Sequence, residues 1–198
     1  MRIHTLLFAV GSLATQITLA APANAATDIF VSRTNNDFAV ATSNPDNGPS
    51  QQVTVTRTTG VSGGIITELG FYYVAPNGCF FAGFGQIPNQ DFNFTPKSAS
   101  LTIDTSSLPA GTIQFFGTCP DATPPAGVIS VQWTATSATR TSGTSVSSFG
   151  GTTIRISGTR LDTVAAISGT IFGTTLVDPF QLSYLNGDHT TTIIMQRD

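Results

Sequence analysis

Apolar and polar residues alternate with a period of two wherever this chain shows a pattern. Ile129, Val131, Trp133 and Ala135 interleave with Ser130, Gln132, Thr134 and Thr136. Leu101 and Ile103 interleave with Thr102 and Asp104, Val53 and Val55 with Thr54 and Thr56, and Ile154 and Ile156 repeat the pattern. Each run offers one apolar face to a core and one hydroxyl face to water, as antiparallel strands do. No segment of helical length carries a 3.6-residue period. Strand signals recur at a spacing that predicts an all-β fold of roughly ten to thirteen short strands, an antiparallel β-sandwich or β-barrel.

Asparagine–glycine pairs punctuate the alternation. Asn186-Gly187 lies between residues 180–185 and 188–196 and predicts a two-residue hairpin turn, because this pair accepts the positive φ of a type I′ turn. In that hairpin Leu185 would pair with Asp188, Tyr184 with His189, and Leu182 with Thr191. Phe180, Leu182, Tyr184, His189 and Ile193 would then share one largely apolar face. Ala75-Pro76-Asn77-Gly78 predicts a type I turn closed by a left-handed glycine, joining a strand over 71–74 to one over 79–84. Residues 44–49 and 121–126 read as loops, the second dividing a Phe-rich front from a Gly-Thr-rich back. Gly-Thr dipeptides at 143, 151, 158, 169 and 173 are unequally spaced, so they mark turns, bulges and close strand contacts rather than a solenoid repeat.

A membrane β-barrel alternates too, but its strands need about nine to eleven residues between aromatic girdles. Most runs here are shorter, their polar faces carry Thr, Ser, Asp and Gln, and the last four residues, Met195 to Asp198, lack a terminal aromatic. No segment after the N-terminus approaches the apolar length of a transmembrane helix.

The first 25 residues change the picture of where the chain works. Arg2, a short apolar stretch from Leu6 to Val10, and the small-x-small site Ala23-Asn24-Ala25 have the grammar of a signal peptide. The reading is a signal over 1–25, cleavage before Ala26, and one all-β domain over 26–198, secreted or periplasmic. No cysteine lies in the leader, so N-terminal lipidation is not expected.

Charged residues are 10% of the chain, against about 25% in typical soluble proteins. Loss of the leader removes Arg2 and no acid, taking the formal charge from −3 to −4. Lys97 is the sole lysine and the arginines are scattered. With no basic stripe to neutralise phosphates, nucleic acid is an improbable partner. Cys79 and Cys119 form an even pair in an exported chain and predict one disulfide. Their spacing is unlike a C-x-x-C redox pair.

Candidate chemistry is sparse. Gly60-Val61-Ser62-Gly63-Gly64 matches G-x-S-x-G in form, but the nucleophile elbow requires a helix after the serine, and residues 65–74 read as a strand, so the motif sits in a hairpin loop where Gly and Ser are expected. His189 is the one histidine outside the leader, with Asp188 directed to the opposite strand face, so no relay assembles. One histidine and an oxidised cysteine pair leave no His/Cys zinc site. The turns at 44–47 and 186–188 lack the alternating acidic ligands of a calcium loop. Glu68, the sole glutamate, is the weak catalytic candidate: glycoside hydrolysis needs a second carboxylate, for which Asp91, Asp104, Asp162 and Asp178 are available.

Aromatic residues give the binding candidates. Phe71, Tyr72, Tyr73, Phe80, Phe81 and Phe84 gather around one predicted hairpin. Consecutive strand residues face opposite ways, so some of these rings leave the core. Tyr72, Tyr73 and Phe81 are the rings considered for stacking on a glycan or protein surface. Trp133, in phase with Ile129 and Val131, reads as core. Asn93-Phe94-Thr95 is a glycosylation sequon, relevant only in a glycosylating source. The leading expectation is a non-enzymatic exported domain that binds a surface glycan, a protein partner or a copy of itself, with no cofactor or metal. The alternatives are a small extracellular glycoside hydrolase using Glu68 with an aspartate, and a structural surface or fibre subunit completed along an unpaired strand edge.

Overall fold

A computed structural model describes residues 28–45, 50–75, 77–119 and 124–196. The expected leader and its cleavage site, the centre of the 44–49 loop, Pro76 and the segment 120–123 lie outside the described residues. The chain is all-β, with eleven strands among the described residues: β1 (Asp28–Ser43), β2 (Gln51–Thr59), β3 (Ile65–Val74), β4 (Phe80–Ile87), β5 (Phe92–Thr95), β6 (Ser98–Asp104), β7 (Ile113–Gly117), β8 (Val128–Phe149), β9 (Thr152–Ile171), β10 (Thr174–Thr175) and β11 (Tyr184–Gln196). All pair antiparallel in one sheet of order β5-β6-β8-β9-β11-β1-β2-β3-β4-β7, with β10 added beside β9. The ladder does not close between β5 and β7. Among the described residues the sheet is therefore an open one that curls around its core.

The alternation read from the sequence builds that core. Ile129, Val131 and Trp133 of β8 stand beside Ile103, Leu101 and Ala99 of β6, all buried. Val53 and Val55 of β2 stand beside Ala41 and Ala39 of β1, with Phe71 and Leu69 of β3 beyond. Both groups belong to one buried cluster, so the two ends of the sheet face each other. Side chains rather than ladder bonds link the β5 end across the gap. Arg57 of β2 donates to the Phe92 carbonyl at 3.3 Å and sits over the Phe92 ring, while Thr67 of β3 donates to Asn89 at 2.8 Å. Phe71 lies across Gly83, its partner on β4, where any Cβ would collide with the ring.

Two turns form as the sequence indicates. Residues 60–64 close β2 onto β3 through Gly60 N–H to Gly64 carbonyl at 2.9 Å, with Gly63 at φ 78°. Ser62 is therefore an exposed turn residue followed by a strand, not a nucleophile over a helix. Gly78, at φ 83°, donates to the Ala75 carbonyl at 2.8 Å and closes β3 onto β4. The predicted disulfide forms between Cys79 and Cys119, with Cα atoms 5.7 Å apart, and pins the end of the β4–β7 pair.

The hairpin expected at Asn186-Gly187 does not form. Both residues lie inside β11, paired with Phe38 and Asp37 of β1 on one side and with Asp162 and Leu161 of β9 on the other. Tyr184 and His189 therefore sit on opposite faces, and Phe180 and Leu182 are exposed in the preceding loop. Gly187 has no positive φ, and a Cβ there would make only ordinary contacts with the His189 ring and Phe94, so neither a turn nor crowding calls for glycine at this position. A two-residue connection with positive φ occurs instead at Phe172-Gly173, φ 49° and 81°, between Ile171 and Thr174. Phe172 tolerates a backbone suited to asparagine because its ring packs edge-on against Phe71 and Tyr73, 5.2 and 5.3 Å between centroids.

The strands are also longer than expected. β8 and β9 run 22 and 20 residues, and their far ends leave the core together with the far ends of β11 and β1. Every residue over 136–149 is exposed. Ile156, which sequence alternation assigns to a core face, is 43% exposed on this four-stranded extension. Nothing among the described residues packs on either face to bury it.

Candidate binding surface

The outward face of β3, β4 and β7 carries the one broad aromatic surface on the curled body of the sheet among the described residues. Its composition follows from strand parity. Leu69, Phe71 and Tyr73 of β3 and Phe81 of β4 point inward and are buried. Their neighbours Tyr72, Phe80 and Phe84 consequently point outward. On β7, Ile113 is buried and Phe116 emerges on the outward side, 56% exposed.

Register brings these rings into two diagonal pairs. Tyr72 opposes Ala82 and Val74 opposes Phe80, so Tyr72 and Phe80 are diagonal neighbours with centroids 5.1 Å apart. Phe84 opposes Gln114 and Ala82 opposes Phe116, which places Phe84 beside Phe116. That second pair is nearly parallel, 11° between planes and 5.7 Å between centroids. Gly70 and Ala82 lie between the pairs, opposite Phe84 and Phe116 respectively. A Cβ added at Gly70 would meet nothing within 4 Å, so the floor there is open. Gln52, Glu68, Gln86 and Gln114 supply amides and a carboxylate on neighbouring positions of the same face.

Of the three rings considered from sequence, only Tyr72 belongs to this platform. Tyr73 and Phe81 retain 5% and 4% exposure and are unavailable to a surface ligand. Phe80 and Phe84 have the parity of Tyr72 once the turn at 75–79 is placed. Phe116 is far along the chain, and the adjacent pair Phe115-Phe116 was the signal that one ring of β7 must leave the core.

Glu68 stands between Thr56 of β2 and Gln86 of β4. The candidate aspartates are engaged elsewhere or on other elements. Asp104 accepts from the Ser106 hydroxyl and backbone N–H, which holds its carboxyl below the ordinary value. Asp162 pairs with Arg160 at 2.9 Å on β9, and Asp178 accepts the N–H groups of Leu182 and Ser183. Asp91 ends the short 3-10 turn Asn89–Asp91. Asn93 is exposed on β5, while Thr95 of its sequon bonds Ser98.

A second polar cluster lies where the sheet leaves the core. Asp37 of β1 accepts from Arg57 Nη2 at 2.7 Å and Nε at 3.1 Å through one oxygen. Its other oxygen, Oδ1, is buried without a hydrogen bond, and His189 Nε2 is 3.5 Å away. Beyond it, Ser142, Thr144, Ser157, Thr159, His189 and Thr191 line a shallow groove of about 440 Å³. No group of three or more His, Cys, Asp or Glu side chains able to hold a metal occurs among the described residues. No helix there is long and apolar enough to cross a membrane.

No protein-family model matches the chain, and no curated protein or solved structure matches it.

Proposed function

We propose that this protein is a non-enzymatic, exported β domain that binds glycan on the platform of Tyr72, Phe80, Phe84 and Phe116. The observation that carries this reading is the parallel, exposed Phe84–Phe116 pair beside an open Gly70 floor. A pyranose ring offers an apolar C–H face to aromatic rings and hydroxyls around its rim. Here the rings sit on the outward face of β3, β4 and β7, and Gln86, Gln114, Gln52 and Glu68 on the same face match the hydroxyls. The low charge of the chain fits a neutral ligand. Export belongs to the same proposal and rests on the signal-like residues 1–25 together with the Cys79–Cys119 bond.

Binding is favoured over glycosidic hydrolysis because the cross-strand neighbours of Glu68 are Thr56 and Gln86, which offer hydrogen bonds and no second carboxylate. Affinity electrophoresis in native gels containing laminarin, dextran or hydroxyethylcellulose tests the reading. Retardation by at least one polymer is expected, and Phe84→Ala with Phe116→Ala should abolish it while leaving the urea midpoint in place. No retardation by any of the three, or equal retardation of the variant, would overturn glycan binding at this surface.

A further inference from the structure

We propose that residues 137–149 of β8 form a docking edge for a second copy of this chain, the two β8 strands pairing antiparallel about a two-fold axis at Gly143. This rests on the far end of the sheet and is independent of the aromatic platform. Up to Ala135 the outer side of β8 is paired with β6, and Ala135 N–H makes the last such bond, to the Lys97 carbonyl at 2.9 Å. Beyond that point β8 is bonded to β9 alone among the described residues. Alternate residues of this thirteen-residue segment therefore present unpaired backbone donors and acceptors along an edge of about 40 Å, at about 3.3 Å per residue.

Natural edges of this length are usually blunted by lysine, proline, inward charges or a bulge. Residues 137–149 contain one arginine, no lysine and no proline. The single irregularity, between Ala135 and Ser137, falls where β6 departs and leaves the remaining pairing to β9 regular. The C-terminal part of this edge carries uncovered apolar side chains, with Val146 61% and Phe149 69% exposed.

Self-pairing suits the order of side chains. With Gly143 on the axis, Ser142 meets Thr144 of the second copy, Thr141 meets Ser145, and Thr139 meets Ser147. These are hydroxyl pairs of the kind that stabilise neighbouring strands. Arg140 meets Val146 of the second copy and can lay its aliphatic stem over it, so the only charge on the edge avoids its own symmetry mate. Ser137 meets Phe149. No like charges face each other, and the two-fold keeps equivalent sheet faces on the same side. Two four-stranded extensions would join into one eight-stranded sheet, and a closed pair leaves no further β8 edge to recruit.

Sedimentation velocity on the chain from residue 26 tests this, with a discrete, concentration-dependent dimer expected. Ser142→Lys with Thr144→Lys places ammonium groups opposite one another across the axis and should weaken the dimer by about an order of magnitude or more. The same pair changed to Glu should also be monomeric, and mixing the Lys and Glu variants should restore a dimer containing one of each. That rescue would not follow if the substitutions only disturbed folding. A wild type that stays monomeric at millimolar protein overturns the proposal. So does a ladder of higher oligomers, which would mean head-to-tail pairing of β8 with the open start of β1, or a failure of the mixed variants to associate.

Discussion

Between Val128 and Ala135, β8 alternates buried and open positions, with Ile129, Val131 and Trp133 against β6 and β9. Between Thr136 and Phe149 the same strand is exposed at every position. Both halves have extended backbone and both pair with β9, while the near half alone is also bonded to β6 on its other edge. The layer above differs as well. The near half faces β1–β4 across the curl of the sheet, and the far half faces solvent. The comparison separates two contributions that a strand usually combines: the ladder gives extension, and burial gives most of the stability.

Breaking the near half should therefore be costly. Trp133→Ala removes the largest fully buried side chain and should cost about 3–5 kcal/mol. Val146→Ala, at the matching alternation of the far half, should stay within about 0.5 kcal/mol. Urea midpoints of the two variants measure the contrast. Similar losses would mean that the far half is buried in solution, as a dimer through β8 could achieve at high concentration.

The disulfide acts on the core-bearing end alone. Cys79→Ser with Cys119→Ser opens a loop of 40 residues and should cost about 2–4 kcal/mol, mainly by releasing entropy to the unfolded chain. Hydrogen exchange should show amides of β4 and β7 losing protection first, while the β8–β9 extension changes little. Uniform loss in both regions would show that they unfold as one unit.

Asn186→Val should also have a small effect, and it places the boundary. Residue 186 lies within β11, opposite Phe38 and Asp162, where a β-branched side chain suits the strand, and the change should stay within about 1 kcal/mol. A cost well above that in thermal or urea unfolding would return Asn186-Gly187 to a turn and remove the pairing that joins the two halves of the sheet.

Local chemistry made much of this fold legible. Val53, Val55, Leu101, Ile103, Ile129, Val131 and Trp133 were identifiable as core from period two alone, because a strand has two faces and only one can be apolar beside water. The turns at 60–64 and 75–79 were legible because glycine at positive φ has few alternatives. The Cys79–Cys119 bond followed from there being two cysteines. The aromatic surface was half legible: parity says that Tyr72 and Tyr73 part company, but not which faces inward, and Phe116 needed β7 to be placed beside β4.

Tertiary structure alone decided the rest, and for one reason: a two-residue period is the same whether or not a second layer covers the strand. Ile154 and Ile156 alternate like Val53 and Val55, yet they lie on the uncovered extension because no other element reaches them. Asn186-Gly187 has the composition of a tight turn, yet strands on both sides of β11 hold it extended, and the ladder on two edges outweighs a local preference worth about 1 kcal/mol. Phe172 takes the turn instead, since Phe71 and Tyr73 provide its ring with a packing site. Sequence determined which segments are strands and which residues prefer burial. Only the curl of the sheet decided which of those residues obtain it.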